Sequence, residues 1–211
     1  MTPTRRSLLL AAAATASIGL PTLSALAQSV DLDKLMKAGP LGEMALGDEK
    51  APVTIIEYAS ATCPHCANFH KGTFKELDEK YIKTGKVRFL FREFPFDNPS
   101  LAAFMLARCA PKDKYFPMID ILFQQQRKWA SQGADVRGEL FNIARLAGFT
   151  QKSFDECLKN EEVAKGVIAV RDLGTELGVT STPSFFINGV VMKGNNGLAQ
   201  FEAMIKPHLS N

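Results

Sequence analysis

The first 27 residues contain no aspartate and no glutamate. Two arginines, Arg5 and Arg6, precede an apolar, Ala-rich stretch that ends at Ala25-Leu26-Ala27, a small-x-small pattern typical of a cleaved export signal. We therefore expect residues 1–27 to be a signal peptide that is removed near Ala27, which makes the mature protein periplasmic. Polar residues, Gly and Pro interrupt the apolar stretch and disfavour the alternative, a permanent membrane anchor. The arginine pair also resembles a twin-arginine signal, so Sec and Tat export both stay open.

The net charge of the chain is also small. Without the expected signal peptide the chain has 23 Lys and Arg against 22 Asp and Glu, which excludes the strong positive charge of a typical nucleic-acid-binding protein. No second apolar run approaches the length that crosses a bilayer, and there are no internal repeats. A chain of this length normally buries one sizeable core. These absences predict a soluble, exported, globular product that does not bind nucleic acid.

Cysteine is limited to four residues, Cys63, Cys66, Cys109 and Cys157. An even set in an exported protein usually pairs, because the compartment is oxidising. Close spacing favours Cys63 with Cys66 as one pair, which leaves Cys109 and Cys157 as a structural disulfide. Two buried free thiols at Cys109 and Cys157 are the alternative.

The sequence Cys63-Pro64-His65-Cys66 follows an apolar, strand-like run at residues 53–58 and opens a helix-like one. A helix N-terminus carries unpaired N–H groups and partial positive charge, which favour the thiolate over the thiol at Cys63. Pro64 suits the first helical position, and His65 can add positive charge or donate a hydrogen bond to the sulfur. The pattern predicts a redox-active dithiol with Cys63 as the nucleophile and Cys66 as the resolving thiol.

Other interpretations of this turn fit less well. A haem attachment site needs His directly after the second cysteine, where Ala67 stands. Zinc could use Cys63, Cys66 and His70, but no second closely spaced Cys or His pair completes four ligands. A purely structural disulfide is a further alternative. We expect no metal and no other cofactor, and we assign His70 to the surface or to packing.

Periodicity predicts the order of the elements. Strand-like and helix-like patterns alternate, then helical stretches dominate a long central part, and an Asn-Gly hairpin signal precedes a closing helix. The predicted elements are an amphipathic segment at 31–38, a strand at 53–58, a helix at 64–83, a strand at 87–91, helices from Asn98-Pro99 to 178, a hairpin at 185–192 and a helix at 197–208.

Three features in this order resemble the DsbA family of thioredoxin-fold disulfide oxidoreductases: the Cys-Pro-His-Cys turn, the long helical insert, and Gly178-Val179-Thr180-Ser181-Thr182-Pro183 before a hairpin. The resemblance covers nearly all of the mature chain. It implies an α/β thioredoxin fold with a helical insertion domain between the second strand and a cis-proline hairpin. The expected division is a signal peptide at 1–27, a first thioredoxin part at 28–97, the insertion at 98–178 and a second thioredoxin part at 179–211.

The resemblance also implies site residues beyond the dithiol. Pro183 takes the role of a cis-proline lying against the sulfurs, and the backbone of Thr182 accepts an extended substrate segment. Glu57, six positions before Cys63, matches a family acid that takes or returns the proton of Cys66. A strand carboxylate that reaches solvent is the alternative for Glu57.

The function implied by the resemblance is that of an exported thiol:disulfide oxidoreductase. It donates a disulfide to folding proteins with free thiols through a mixed disulfide at Cys63, and a DsbB-type membrane partner reoxidises it. We expect a monomer. A disulfide isomerase or reductase on the same fold, and a non-enzymatic chaperone or metal-handling module, are the alternative functions.

Overall fold

The elements of the fold run through residues 30–209, the part of the chain that the computed structural model describes; the expected signal peptide lies outside it. The strands are β1 (Met44–Leu46), β2 (Val53–Ala59), β3 (Val87–Glu93), β4 (Ser184–Ile187) and β5 (Val190–Lys193). The α-helices are α1 (Leu32–Met36), α2 (Pro64–Lys71), α3 (Thr73–Leu77), α4 (Asn98–Cys109), α5 (Tyr115–Gln124), α6 (Gln126–Trp129), α7 (Val136–Leu146), α8 (Gln151–Leu158), α9 (Glu161–Glu176) and α10 (Leu198–Ile205).

One sheet holds these five strands in the order β1-β3-β2-β4-β5. Strands β2 and β3 are parallel and are connected through α2 and α3, whereas β1, β4 and β5 pair antiparallel with their neighbours. The short connection Asn188-Gly189 joins β4 to β5, and both residues have positive φ, as a tight hairpin turn requires. The central position of β2 is what brings its C-terminal end, and the dithiol after it, to the middle of the sheet.

Strand β2 is buried along almost its whole length, and its side chains alternate between two cores. Ile55 belongs to the larger core, and Ile56 belongs to a smaller core on the opposite face. This alternation follows from the two-residue repeat of a strand. A strand covered on both faces explains why the sequence here is a continuous apolar run interrupted by one acid, Glu57.

The predicted helix at 64–83 is wrong as a single helix. Helix α2 ends at Lys71, the backbone of Gly72 (φ −118°, ψ −96°) is not helical, and α3 begins directly after it at Thr73. A π-helical turn at Asp78–Ile82 then completes the segment. Glycine loses more conformational entropy in a helix than other residues, and here it marks the break that the apolar periodicity across it concealed.

The helical insertion lies between β3 and β4 and consists of α4 to α9. Its first helix has Asp97 rather than Asn98 as the capping residue, because Oδ1 of Asp97 accepts the backbone N–H of Ser100 at 2.8 Å. The helix begins at Asn98, as the sequence predicted, and Pro99 lies in the first turn. The insertion therefore begins directly beside the loop that precedes the dithiol.

The expected fold class is confirmed: a parallel β2–β3 unit, a helical insertion, and a β4–β5 hairpin form one α/β structure. Sequence periodicity missed β1, which has only three residues and pairs with β3. Within residues 30–209, every helix is too short or too polar to cross a bilayer.

Candidate active site

Cys63 lies at the N-terminus of α2, where it is the capping residue, and Pro64 occupies the first helical position. Proline fits there because that N–H has no partner inside a helix. Cys66, one turn further, is fully buried, while Cys63 is partly exposed. Both thiols are free in the structure. The fold thus gives the two sulfurs different environments: one faces the surface and one faces the core.

The pKa of Cys63 is lowered from 9.0 to about 5. The largest cause is a hydrogen bond from the Cys66 side chain, and burial acts in the opposite direction. The Thr182 side chain and the backbone N–H groups of Cys66 and His65 add further lowering. These N–H groups belong to the first turn of α2, where they have no partner within the helix. Cys63 is therefore a thiolate at neutral pH.

The pKa of Cys66 is raised well above 9.0. Burial is the largest cause, followed by the hydrogen bond that Cys66 gives to Cys63 and by the negative charge of Glu57. Each effect disfavours a second anion in this small, dry space. The reduced pair consequently carries one proton, which is on Cys66, and one negative charge, which is on Cys63.

Thr182 lies directly against the partly exposed sulfur of Cys63, and Pro183 follows it in the chain. The sulfur of Cys63 is 3.2 Å from the backbone oxygen of Thr182, and the peptide bond between Thr182 and Pro183 is cis. The side-chain hydroxyl of Thr182 is buried and is one of the groups that lower the pKa of Cys63. The residues predicted to hold substrate are thus brought next to the predicted nucleophile.

Glu57 lies beneath the dithiol on β2 and is fully buried. Its Oε2 atom is 2.8 Å from Nε2 of His70, and its Oε1 atom has no partner among the described residues. The alternative of a solvent-exposed strand carboxylate is therefore wrong. Of the two sequence-based assignments for His70, packing is the better: it is 3% exposed, with its ring stacked on Phe123 at 4.4 Å. Sequence analysis did not include it in the site.

His65 contributes to the site through its backbone. Its side chain is exposed, and its contribution to the low pKa of Cys63 comes from its backbone N–H rather than from its ring. A residue two positions into a helix N-terminus offers its backbone to the capping side chain whatever its own side chain is. The imidazole is left free to meet solvent or a bound substrate.

Cys109 and Cys157 form a disulfide with a Cα–Cα distance of 6.1 Å. Cys109 ends α4 and Cys157 is in α8, so the bond joins two helices of the insertion. The chain between them is long, with a sequence separation of 48 residues. This bond links elements of the insertion and does not reach the dithiol.

Sequence analysis missed two residues that complete the site, His70 and Gln126. Gln126 donates from its side-chain amide to the backbone oxygens of Ala61 and Cys63. The position of His70 one turn after Cys66 is a signal that could have identified it, since residues four apart share a helix face. Gln126 is 63 positions from Cys63 and carries no local signal. Across residues 30–209, no cluster of three or more His, Cys, Asp or Glu side chains could hold a metal ion.

The family model for thioredoxin matches residues 41–207. A Rickettsia prowazekii protein whose assigned name is protein-disulfide oxidoreductase is 38% identical over 150 residues, which cover 70% of this chain and 55% of the relative. The chain thus spans little more than half of that relative. Disulfide bond formation protein D of Bacillus subtilis is 27% identical over 164 residues, covering 72% of this chain and 70% of the relative.

Among solved structures, alpha-DsbA1 of Wolbachia pipientis is similar with a TM-score of 0.76 and 34% identity. The alignment covers 83% of this chain and 94% of the Wolbachia chain. Both the sheet and the helical insertion are therefore part of the likeness. Together with the geometry of the dithiol, these comparisons show that the chain belongs to the DsbA-like branch of the thioredoxin family.

Proposed function

We propose that this protein is a thiol:disulfide oxidoreductase that donates a disulfide to other proteins through Cys63 and Cys66. The observation that carries the proposal is the asymmetry of the two thiols: the pKa of Cys63 is lowered to about 5, and that of Cys66 is raised well above 9.0. The nucleophilic cysteine needs an accessible thiolate, and the resolving cysteine needs to keep its proton in the reduced protein. The similarity to proteins named disulfide oxidoreductases and disulfide bond formation proteins supports the same activity.

The reaction begins with the oxidised protein, in which Cys63 and Cys66 form a disulfide. A substrate thiolate attacks the Cys63 sulfur, the electron pair of the broken bond goes to Cys66, and Cys66 takes up a proton. A second substrate thiolate then attacks the substrate sulfur of the mixed disulfide, and Cys63 leaves as a thiolate. The substrate has lost two electrons and two protons to form its disulfide, and the protein is left reduced.

The stabilised thiolate gives this reaction its direction. Whatever stabilises the Cys63 anion stabilises the reduced protein, and therefore makes the disulfide a stronger oxidant. Neutral pH is about two units above the Cys63 pKa of about 5. At about 30 mV per unit, this difference raises the reduction potential of the disulfide by up to roughly 60 mV. The departure of Cys63 from the mixed disulfide is favoured for the same reason.

Substrate binding is proposed to use the backbone of Thr182 beside Pro183. The oxygen of Thr182 lies 3.2 Å from the Cys63 sulfur, so a strand of substrate that pairs with this backbone places its own cysteine at the nucleophile. Extended backbone is common to all unfolded chains. Binding by main-chain hydrogen bonds suits an enzyme that accepts many substrates.

Export is part of the proposal. The N-terminal pattern that ends at Ala27 supports export and cleavage, and with them a mature monomer in the periplasm, where folding proteins have free thiols. A reduced enzyme needs an electron acceptor, and the family resemblance supports a DsbB-type membrane reoxidase in that role.

A redox titration tests the proposed activity. The purified protein is equilibrated with glutathione buffers of known ratio, and the fraction of the Cys63–Cys66 disulfide is measured by thiol labelling. We expect half-reduction in strongly oxidising buffers. Half-reduction only in strongly reducing buffers would contradict the oxidase and favour the alternative function, an isomerase or reductase on the same scaffold.

A further inference from the structure

The loop between β2 and the dithiol is held by side chains of the helical insertion. The N–H of Ala61 donates to Oγ of Ser100 at 2.9 Å, and the Thr62 hydroxyl donates to Oδ2 of Asp97 at 2.7 Å. Ser100 and Asp97 belong to the beginning of α4. One side of the loop is therefore anchored to the first helix of the insertion.

Gln126 anchors the other side of the same loop. Its Nε2 atom donates to the backbone oxygen of Ala61 at 2.8 Å and to that of Cys63 at 2.9 Å. An amide nitrogen has two hydrogens, so these two bonds use its full donor capacity. The side chain is 5% exposed, and loss of these bonds would remove one donor from each of the two carbonyl groups.

The local fold orients Gln126 toward the loop. Helix α5 ends at Gln124, the backbone of Gln125 (φ −97°, ψ 11°) interrupts the helical path, and α6 begins at Gln126. Trp129, which is fully buried, donates its indole N–H to the backbone oxygen of Leu122 at 2.8 Å across this break. This contact fixes the direction of α6. Because the backbone of Gln126 is already held by it, less conformational entropy is lost when the glutamine side chain binds the loop.

The carbonyl group of Cys63 has a second role at the start of α2. It accepts the N–H of Ala67 at 3.2 Å, which is the first hydrogen bond of the helix. The direction of this carbonyl is set by ψ of Cys63, which is 118°, and the same torsion sets the direction of the α2 axis relative to the Cys63 side chain. The N–H groups of the first turn face the sulfur only while this torsion is held.

We propose that Gln126 is a positioning residue for Cys63. By binding the carbonyl groups of Ala61 and Cys63, its amide holds the turn so that the first N–H groups of α2 face the sulfur. The insertion therefore tunes the thiolate through a side chain that does not touch the sulfur. This inference rests on the proposed function, because it concerns how the same dithiol obtains its reactivity.

The test compares the thiolate of the native protein with that of Gln126→Met, which keeps an unbranched side chain of similar length and removes both donors. The pKa of Cys63 is measured by thiolate absorbance in the ultraviolet. We expect a rise of at least about half a unit, because the first-turn N–H groups lose their alignment with the sulfur. In glutathione buffers, the ratio at half-reduction should shift at least about threefold toward more reducing conditions.

The chain supplies a matched control two positions away. Gln124 has the same side chain and is exposed in the last turn of α5, where it donates to Asp120 on the surface at 3.3 Å. Gln124→Met should leave both the pKa of Cys63 and the glutathione ratio unchanged. Gln126→Asn serves as a second variant, since it keeps the amide on a side chain that is one methylene shorter. If Gln126→Met does not fold, the pKa of Cys63 and the glutathione ratio are measured on Gln126→Asn instead.

The outcomes separate this inference from the proposed function. A native protein whose Cys63 ionises only in the alkaline range overturns the proposed function itself. A native protein with an acidic Cys63, together with folded Gln126 variants that lose thermal stability but keep the pKa and the glutathione ratio, overturns the positioning role and leaves Gln126 as a structural residue. A rise in the pKa in the Gln126 variants but not in Gln124→Met supports the positioning role.

Discussion

His70 lies one helical turn after Cys66 and holds the buried carboxylate of Glu57, with 2.8 Å between Nε2 and Oε2. Residues four apart face the same side of a helix, so the resolving thiol and the histidine both point toward β2, where Glu57 is. The pair leaves Oε1 of Glu57 without a partner among the described residues. The negative charge of Glu57 raises the pKa of Cys66, and we expect Glu57 to exchange a proton with that thiol.

Glu57→Gln should lower the pKa of Cys66. The substitution keeps the size of the side chain and removes the charge that disfavours a second anion, so we expect a fall of about one unit. The measurement is the alkaline step of a thiolate titration. Glu161→Gln, at an exposed carboxylate of α9, is the control and should not change that step. An unchanged pKa of Cys66 in Glu57→Gln would show that the charge of Glu57 does not contribute to it.

His70→Phe should lower the free energy of unfolding by about 3 kcal/mol, because it leaves the buried Glu57 carboxylate without its donor. Phenylalanine retains the stacking on Phe123 that the imidazole makes at 4.4 Å, so little packing is lost. Urea denaturation of the reduced protein measures the change. The double variant Glu57→Gln/His70→Phe should recover part of the loss; additive losses from the two substitutions would mean that the side chains do not interact.

Cys63→Ser should abolish oxidation of a reduced, unfolded test protein, because serine does not form the mixed disulfide. Cys66→Ser should instead accumulate mixed disulfides when it is mixed with an oxidised test protein. Its Cys63 thiolate attacks a disulfide of that protein, one of the two sulfurs leaves as a thiolate, and no Cys66 is present to release the bound chain. The adducts are detected on non-reducing gels and disappear on reduction. Oxidase turnover retained by Cys63→Ser would reject the nucleophile assignment. A protective effect on unfolded proteins that survives the loss of Cys63 would favour a chaperone function.

Local chemistry made much of the site predictable. Cysteines three positions apart, a proline between them and a strand before them specify a helix N-terminus with a thiolate, because all the stabilising groups belong to one turn. The hairpin after Pro183 was equally accessible from its Asn-Gly turn and alternating apolar residues. Predictions of this kind succeed where sequence neighbours are also spatial neighbours.

The sequence did not reveal the contact of Gln126 with Cys63 or the helix break at Gly72. Gln126 reaches Cys63 across 63 positions, and nothing in its own neighbourhood distinguishes it from Gln124. The break at Gly72 was hidden because apolar residues keep their helical spacing on both sides of it.

Removal of the second disulfide should destabilise the protein without stopping its chemistry. Cys109 and Cys157 enclose a loop with a sequence separation of 48 residues, for which the chain-entropy account gives up to about 4 kcal/mol. Thiol counting on the denatured, unreduced protein should find neither sulfur free. The variant Cys109→Ala/Cys157→Ala should unfold at lower urea concentration but still oxidise the test protein. Equal stability with and without the bond would contradict its structural role.

The stability of the reduced protein should depend on pH through Cys63. Its pKa falls from 9.0 to about 5 on folding, so the unfolded chain binds the proton more tightly than the native protein does. The resulting stabilisation is complete above pH 9 and is lost as the pH falls toward 5, at up to about 1.4 kcal/mol per unit. The pKa of Cys66 is raised, so its opposite effect begins only near pH 9.

The measurement is therefore confined to pH 5–8, where the Cys63 thiolate can be separated from the effect of Cys66. Urea denaturation of the reduced protein is compared with that of reduced Cys63→Ser at each pH, which cancels the titration of every other group that the two proteins share. The difference in free energy of unfolding should grow with pH. A difference that stays flat across this range would mean that folding does not stabilise the anion, and the proposed oxidising character of the dithiol would lose its physical cause.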